Sequence, residues 1–198
     1  MSRLSESLAR ISADLDDLGV RWAVVGGLAV SVRAEPRLTR DVDVAIFVTS
    51  DRDAERIVRD LGARGYQPVR LVEHEGRQRL ATARMTAEGQ PEGIVIDLLF
   101  ASSGIETEIV DTSEKLEVFP GVEARVATRS HLMAMKVLAR DDRTRPQDLD
   151  DLRSLLAKAS AADIETTRAL LLLITERGFA RRRNLIESFE LLLREERG

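Results

Sequence analysis

The stretch Val24–Val48, "VVGGLAVSVRAEPRLTRDVDVAIFV", decides the fold. An apolar segment runs into Gly26–Gly27, and "LAVSVRAE" then reads as a helix before Pro36. A second apolar segment opens with Asp41 and Asp43. Burying an ionised carboxylate costs several kcal/mol unless it is paired, hydrogen-bonded or metal-bound. In a strand, residues i and i+2 share a face, so Asp41 and Asp43 project together while Val42 and Val44 turn into the core. Two neighbouring carboxylates repel, and a divalent cation relieves the repulsion. Mg2+ suits such a pair because it takes a few carboxylates, keeps several waters and completes its shell with substrate phosphates.

Two further features extend this reading. Asp97 is the one polar residue in the run Ile94–Phe100, an expensive place for a lone charge and a source for the third carboxylate that two-metal phosphoryl chemistry needs. Gly26 and Gly27 end a strand and open a helix, where backbone amides can approach a phosphate closely and the helix N-terminus favours its charge.

Working outward, Leu4, Leu8, Ile11, Leu15 and Leu18 recur at helical spacing before Gly19. Asp51 is the expected N-cap of an amphipathic helix closed by Gly62 or Gly65. From about 67 to 127 the segments "QPVRLVE", "RQRLATARMT", "GIVIDLLFA" and "EVFPGVEARVA" read as strands, separated by turn signals at Glu75-Gly76, Glu88–Pro91 and Pro120-Gly121. From Thr128 onward the pattern is helical. Thr128 or Ser130 is the expected cap of one helix and Pro146 stands in the first turn of the next, with two more over roughly 161–177 and 179–196. The expected fold class is α+β, a mixed α/β sheet flanked by helices and followed by a C-terminal helical bundle. The expected division is an α/β core over 1–127 and a helical region over 128–198 packed on it.

Composition narrows the function classes. With 198 residues, 43% hydrophobic and 32% charged, the chain can bury a core and keep a charged surface. It contains no cysteine, which excludes disulfides and thiolate-held metal, and only two histidines, His74 and His131, which disfavours a histidine-rich zinc site. His131 reads as packed or cap-adjacent, and His74 as a hairpin tip. A net charge of −4 argues against a general nucleic-acid binder but leaves room for a local patch, for which "ARRRN" around Arg181–Arg183 is the candidate. The N-terminus lacks a signal-peptide layout and no apolar run reaches the ~20 residues of a membrane span, so a cytoplasmic protein with no membrane partner is expected. "LLLLIT" at 170–175 reads as a buried bundle seam or a partner interface.

The run "VVGGLAV…RLTRDVDVAIF" resembles the signature of the DNA polymerase β-like nucleotidyltransferase superfamily: a Gly-Gly or Gly-Ser pair, a short helix, then Asp-x-Asp. Downstream, "HLMAMKVLARDDRTRPQDLDDLRSLL" resembles the second motif of AbiEii-type toxin nucleotidyltransferases, with Lys136, Ala139, Arg140, Arg145, Asp148, Asp151 and Leu152 at the matching positions. The resemblance spans roughly 20–155. It implies transfer of a nucleoside monophosphate from an NTP to a hydroxyl, with Mg2+ (or Mn2+) held by Asp41, Asp43 and Asp97, the last acting as base. It implies nucleotide contacts from Gly26, Gly27, Thr39, Arg40, Lys136, Arg140 and Asp148, with Lys136 and Arg140 four apart on one helical face. Members of the family are typically toxins with a cognate antitoxin, and related toxins modify tRNA ends. The alternatives are an antibiotic nucleotidyltransferase acting on a small hydroxylated molecule, an aminoglycoside or lincosamide, and a non-catalytic nucleotide- or partner-binding protein on the same fold. Two departures stand out: Gly27 occupies the place where many members have serine, and Arg40 is an extra arginine beside the aspartate pair.

Overall fold

The computed structural model describes residues 2–74, 79–87, 94–141 and 146–196. The expected turns at 75–76 and 88–91, the His74 side chain and Arg145 lie outside the described residues. Helix α1 (Arg3–Asp17) precedes β1 (Trp22–Val25), which passes directly into α2 (Gly26–Arg33) and then β2 (Asp41–Ile46). After α3 (Asp51–Ala63) come β3 (Tyr66–His74), β4 (Arg79–Ala87) and β5 (Val95–Leu99), then α4 (Glu106–Thr112) and the hairpin β6 (Glu114–Phe119) and β7 (Val122–Val126). Helices α5 (Arg129–Ala139), α6 (Pro146–Ala157), α7 (Ala161–Glu176) and α8 (Leu185–Glu195) complete the order.

The strands form one mixed sheet in the order β3-β4-β5-β2-β1-β7-β6. β2 lies between β5, its parallel partner, and β1, its antiparallel one. On β2, Val42, Val44 and Ile46 are fully buried. Trp22 pairs in register with Ile46, and its indole N–H donates to Asp16 of α1, so α1 covers this face. Asp41 and Asp43 therefore point to the opposite face, where α5 supplies Lys136 close enough to influence Asp43. Leu8, Ile11 and Leu15 of α1 and Phe189 and Leu192 of α8 belong to the same apolar cluster as the strands.

Local differences from the sequence reading have local causes. The cap of α3 is Ser50, whose hydroxyl accepts from the Asp53 amide, rather than Asp51. Asp51 instead accepts from the Leu80 amide of β4. α4 was not foreseen. α8 starts at Leu185 rather than 179 because Arg181 and Arg182 adopt left-handed φ values of 53° and 61°, after which Asn184 caps the helix. Of the leucine run, Leu170 and Leu171 are buried with Ile174, and Leu172 is half exposed.

Candidate active site

Strand register assembles the acidic cluster. Asp43 pairs with Asp97 across β2–β5, and Asp97 pairs with Arg84 across β5–β4, so three adjacent strands present Asp43, Asp97 and Arg84 in a row on one face. Asp41 lies two residues before Asp43, on the same face. Burial first, then the negative charges of Asp97 and Asp41, push the Asp43 carboxyl up from 3.8 to about 6. Lys136 and a hydrogen bond from the Gly27 amide act the other way.

The glycine turn is built around that carboxylate. Val25 is in register with Asp43, so the chain leaves β1 beside it. Gly26 has φ +60°, and a Cβ there would stand 2.0 Å from Asp43 Oδ2. A Cβ at Gly27 would stand 2.6 Å from the Arg37 Nη2 and 2.7 Å from Thr39 Oγ1. A side chain at 27 would have to displace the Arg37 guanidinium, which Asp151 holds, and the Thr39 hydroxyl.

A buried ion network forms the opposite wall. Lys136 Nζ donates to Asp148 Oδ1 at 2.7 Å and pairs with Asp151 Oδ2 at 2.6 Å. Asp151 also holds Arg37, with Arg37 Nε 2.6 Å from Oδ1 and Nη2 donating to Oδ2 at 2.9 Å. Asp148 and Asp151 are 3% and 2% exposed, so each depends on these cations.

Between the walls lies a cleft of about 750 Å3. Gly26, Gly27, Thr39, Arg40, Asp41, Asp43, Asp97, Lys136 and Asp148 all line it. Arg140 does not. α5 ends at Ala139, and Arg140 turns extended with ψ 123°, leaving the helical face it was expected to share with Lys136. It lines a separate hollow against α8, where Arg183 donates to the carbonyls of Leu138 and Arg140 and so closes the end of α5. Arg84 and the cleft-lining position of Arg181 escaped the sequence reading of the site, while Asp151, read there only as a motif position, anchors both Lys136 and Arg37. Arg181 was visible only as part of a basic run, and Arg84 only as a polar position in a strand. His131 is 3% exposed, with Nδ1 2.8 Å from the Thr128 hydroxyl, and burial lowers it to about 4.

A divalent cation fits Asp41 and Asp43: burial, then Asp97 and then Asp41 raise the Asp43 carboxyl, and a bound cation would offset all three. Asp97 is engaged by Arg84, whose Nε and Nη2 donate to its two oxygens at 2.9 and 2.7 Å, and among the described residues no group of three acidic or histidine side chains is arranged to hold a metal.

A mixed sheet carrying a glycine turn opposite paired aspartates is the architecture of a nucleotidyltransferase. The profile described as "Nucleotidyl transferase AbiEii toxin, Type IV TA system" matches residues 7–198, and the chain belongs to that family of enzymes. Among solved structures it is similar to an antigenic nucleotidyltransferase-like protein from Paracoccidioides brasiliensis, at 17% identity and a TM-score of 0.54, covering 95% of this chain and 92% of that one. It is also similar to the antibiotic-resistance factor ANT(2'')-Ia, at 17% identity and a TM-score of 0.52, covering 86% and 91%. These likenesses concern the fold. Comparison with curated proteins gave no significant match. Nucleotidyltransferases of this fold generally use a divalent metal. No helix among the described residues is long and apolar enough to cross a membrane.

Proposed function

We propose that the cleft transfers a nucleoside monophosphate from an NTP to a hydroxyl acceptor and releases pyrophosphate. The observation that carries this reading is the convergence of Asp41, Asp43 and Asp97 on one sheet face, opposite the Gly26–Gly27 helix start and Lys136. Asp41 and Asp43 would hold Mg2+, with Mn2+ as a substitute; when bound, the ion neutralises phosphate charge and lowers the barrier to attack at the α-phosphorus. The amides that open α2, other than the Gly27 amide already given to Asp43, and the Thr39 hydroxyl bind triphosphate oxygens. Lys136, held in place by Asp148 and Asp151, faces the same phosphates. Arg40 adds charge at the rim. Asp97 takes the proton of the attacking hydroxyl.

The acceptor reading follows from the mouth of the cleft. Arg40 and Arg181 line it and are exposed, which suits an anionic acceptor such as a tRNA end and opposes a polycationic aminoglycoside. With the family's toxin character, the reading is an RNA-modifying toxin restrained by a cognate antitoxin. The test is incubation with each α-labelled NTP, Mg2+ and total RNA, beside the Asp41→Asn/Asp43→Asn variant. Label on a tRNA-sized band with the intact protein alone supports the reading. Label on an aminoglycoside and not on RNA supports the antibiotic-modifying alternative. Nucleotide binding without transfer to any acceptor supports the non-catalytic one.

A further inference from the structure

Arg84 pairs directly with the aspartate row through Asp97, and no sequence motif points to it. Its guanidinium donates to both oxygens of Asp97, a fork geometry that takes one acceptor site on each and puts a positive charge where a divalent cation or an acceptor's proton would arrive. The attraction extends beyond Asp97, because Asp41 and Asp43 also strengthen the guanidinium charge. Lys136, which also acts on Asp43, is committed to Asp148 and Asp151. The Arg84 side chain is 45% exposed whereas that of Asp97 is 10% exposed, so the arginine is the partner with room to move. Its position on β4 places it on the lining of the same cleft.

We propose that Arg84 is a displaceable counter-cation: it neutralises the aspartate row and occupies Asp97 until a divalent cation enters, and then swings away to release the carboxylate. This rests on the reading of the cleft as a metal-dependent nucleotidyltransferase site. Arg84 is thus a positioning residue for Asp97, and it sets how readily the site loads metal. A guanidinium within the cluster repels an incoming divalent cation and competes for the same oxygens, so removing its charge strengthens metal binding.

The test is Mn2+ titration of the nucleotide-free protein, followed by electron paramagnetic resonance of the free ion, for the wild type, Arg84→Gln and Arg84→Lys. Thermal melts confirm that each variant is folded. Arg84→Gln is expected to bind Mn2+ about tenfold more tightly than the wild type. Arg84→Lys, which keeps the charge and loses the fork, is expected to fall between them. Equal or weaker Mn2+ binding in Arg84→Gln overturns the proposal and leaves the nucleotidyltransferase reading standing. Absence of Mn2+ binding in all three overturns both.

Discussion

Gly26 combines a left-handed φ of +60° with a Cβ position lying inside the Asp43 carboxylate. Gly26→Ala is therefore expected to lower stability by roughly 2 kcal/mol or more and to displace Asp43. Denaturant unfolding reads the first effect, and loss of Mn2+ affinity reads the second. His131 offers a separate check. Its folded value of about 4 lies below the ordinary 6.5, so between these values the unfolded chain binds a proton that the native protein refuses. Stability from this residue is present above about 6.5 and is lost as pH falls toward 4, by roughly 3 kcal/mol in total. Asp43 acts in the opposite sense, since its raised carboxyl is protonated more readily in the folded state as pH falls through about 6. The measurement is thus the difference between His131→Gln and the wild type: the variant is expected to lose stability less steeply over pH 6.5 to 4. At this scale the sequence was informative wherever a residue was out of character for its surroundings, as Asp43 and Asp97 are. It was silent on Arg84, because an arginine in a strand is unremarkable until register places it opposite Asp97.

Among elements, the decisive link joins the segment before β2 to α5 and α6. Arg37 from that segment and Lys136 of α5 meet on Asp151 of α6, with Asp148 one turn earlier. Removing a shared carboxylate leaves two cations under-compensated, and breaking a buried pair in this way costs about 3–5 kcal/mol. Asp151→Ala is expected to destabilise by about that amount in chemical denaturation. It is also expected to weaken nucleotide binding, because Lys136 loses one of its anchors. Strands with clear alternation and helices with caps were legible, including β2, the β6–β7 hairpin and α7, where Ser160 and Asp163 form a capping box. α4 was not, since its seven residues are too few to display a helical period. The end of α5 was misread for a different reason. Spacing from Lys136 to Arg140 implies a shared face only while the helix continues, and what stops it is Arg183, distant in sequence.

For the molecule as a whole, a single apolar cluster runs from α1 to α8 and fixes the sheet between α1 on one face and the cleft-forming helices on the other. The fold class was legible because the order of periodicities already implied a mixed sheet followed by helices. The strand order was not, because β2 is flanked by β5 and β1, and nothing local encodes that neighbour choice. That order is what brings Asp97 to Asp43, so the site is a property of topology as much as of motif. The most direct test of the account is a crystal structure with Mn2+ and a non-hydrolysable NTP, with the metal located by its anomalous signal. A peak is expected on Asp41 and Asp43, with the triphosphate against Gly26, Gly27 and Lys136. A metal bound elsewhere, or a nucleotide seated outside this cleft, would contradict it.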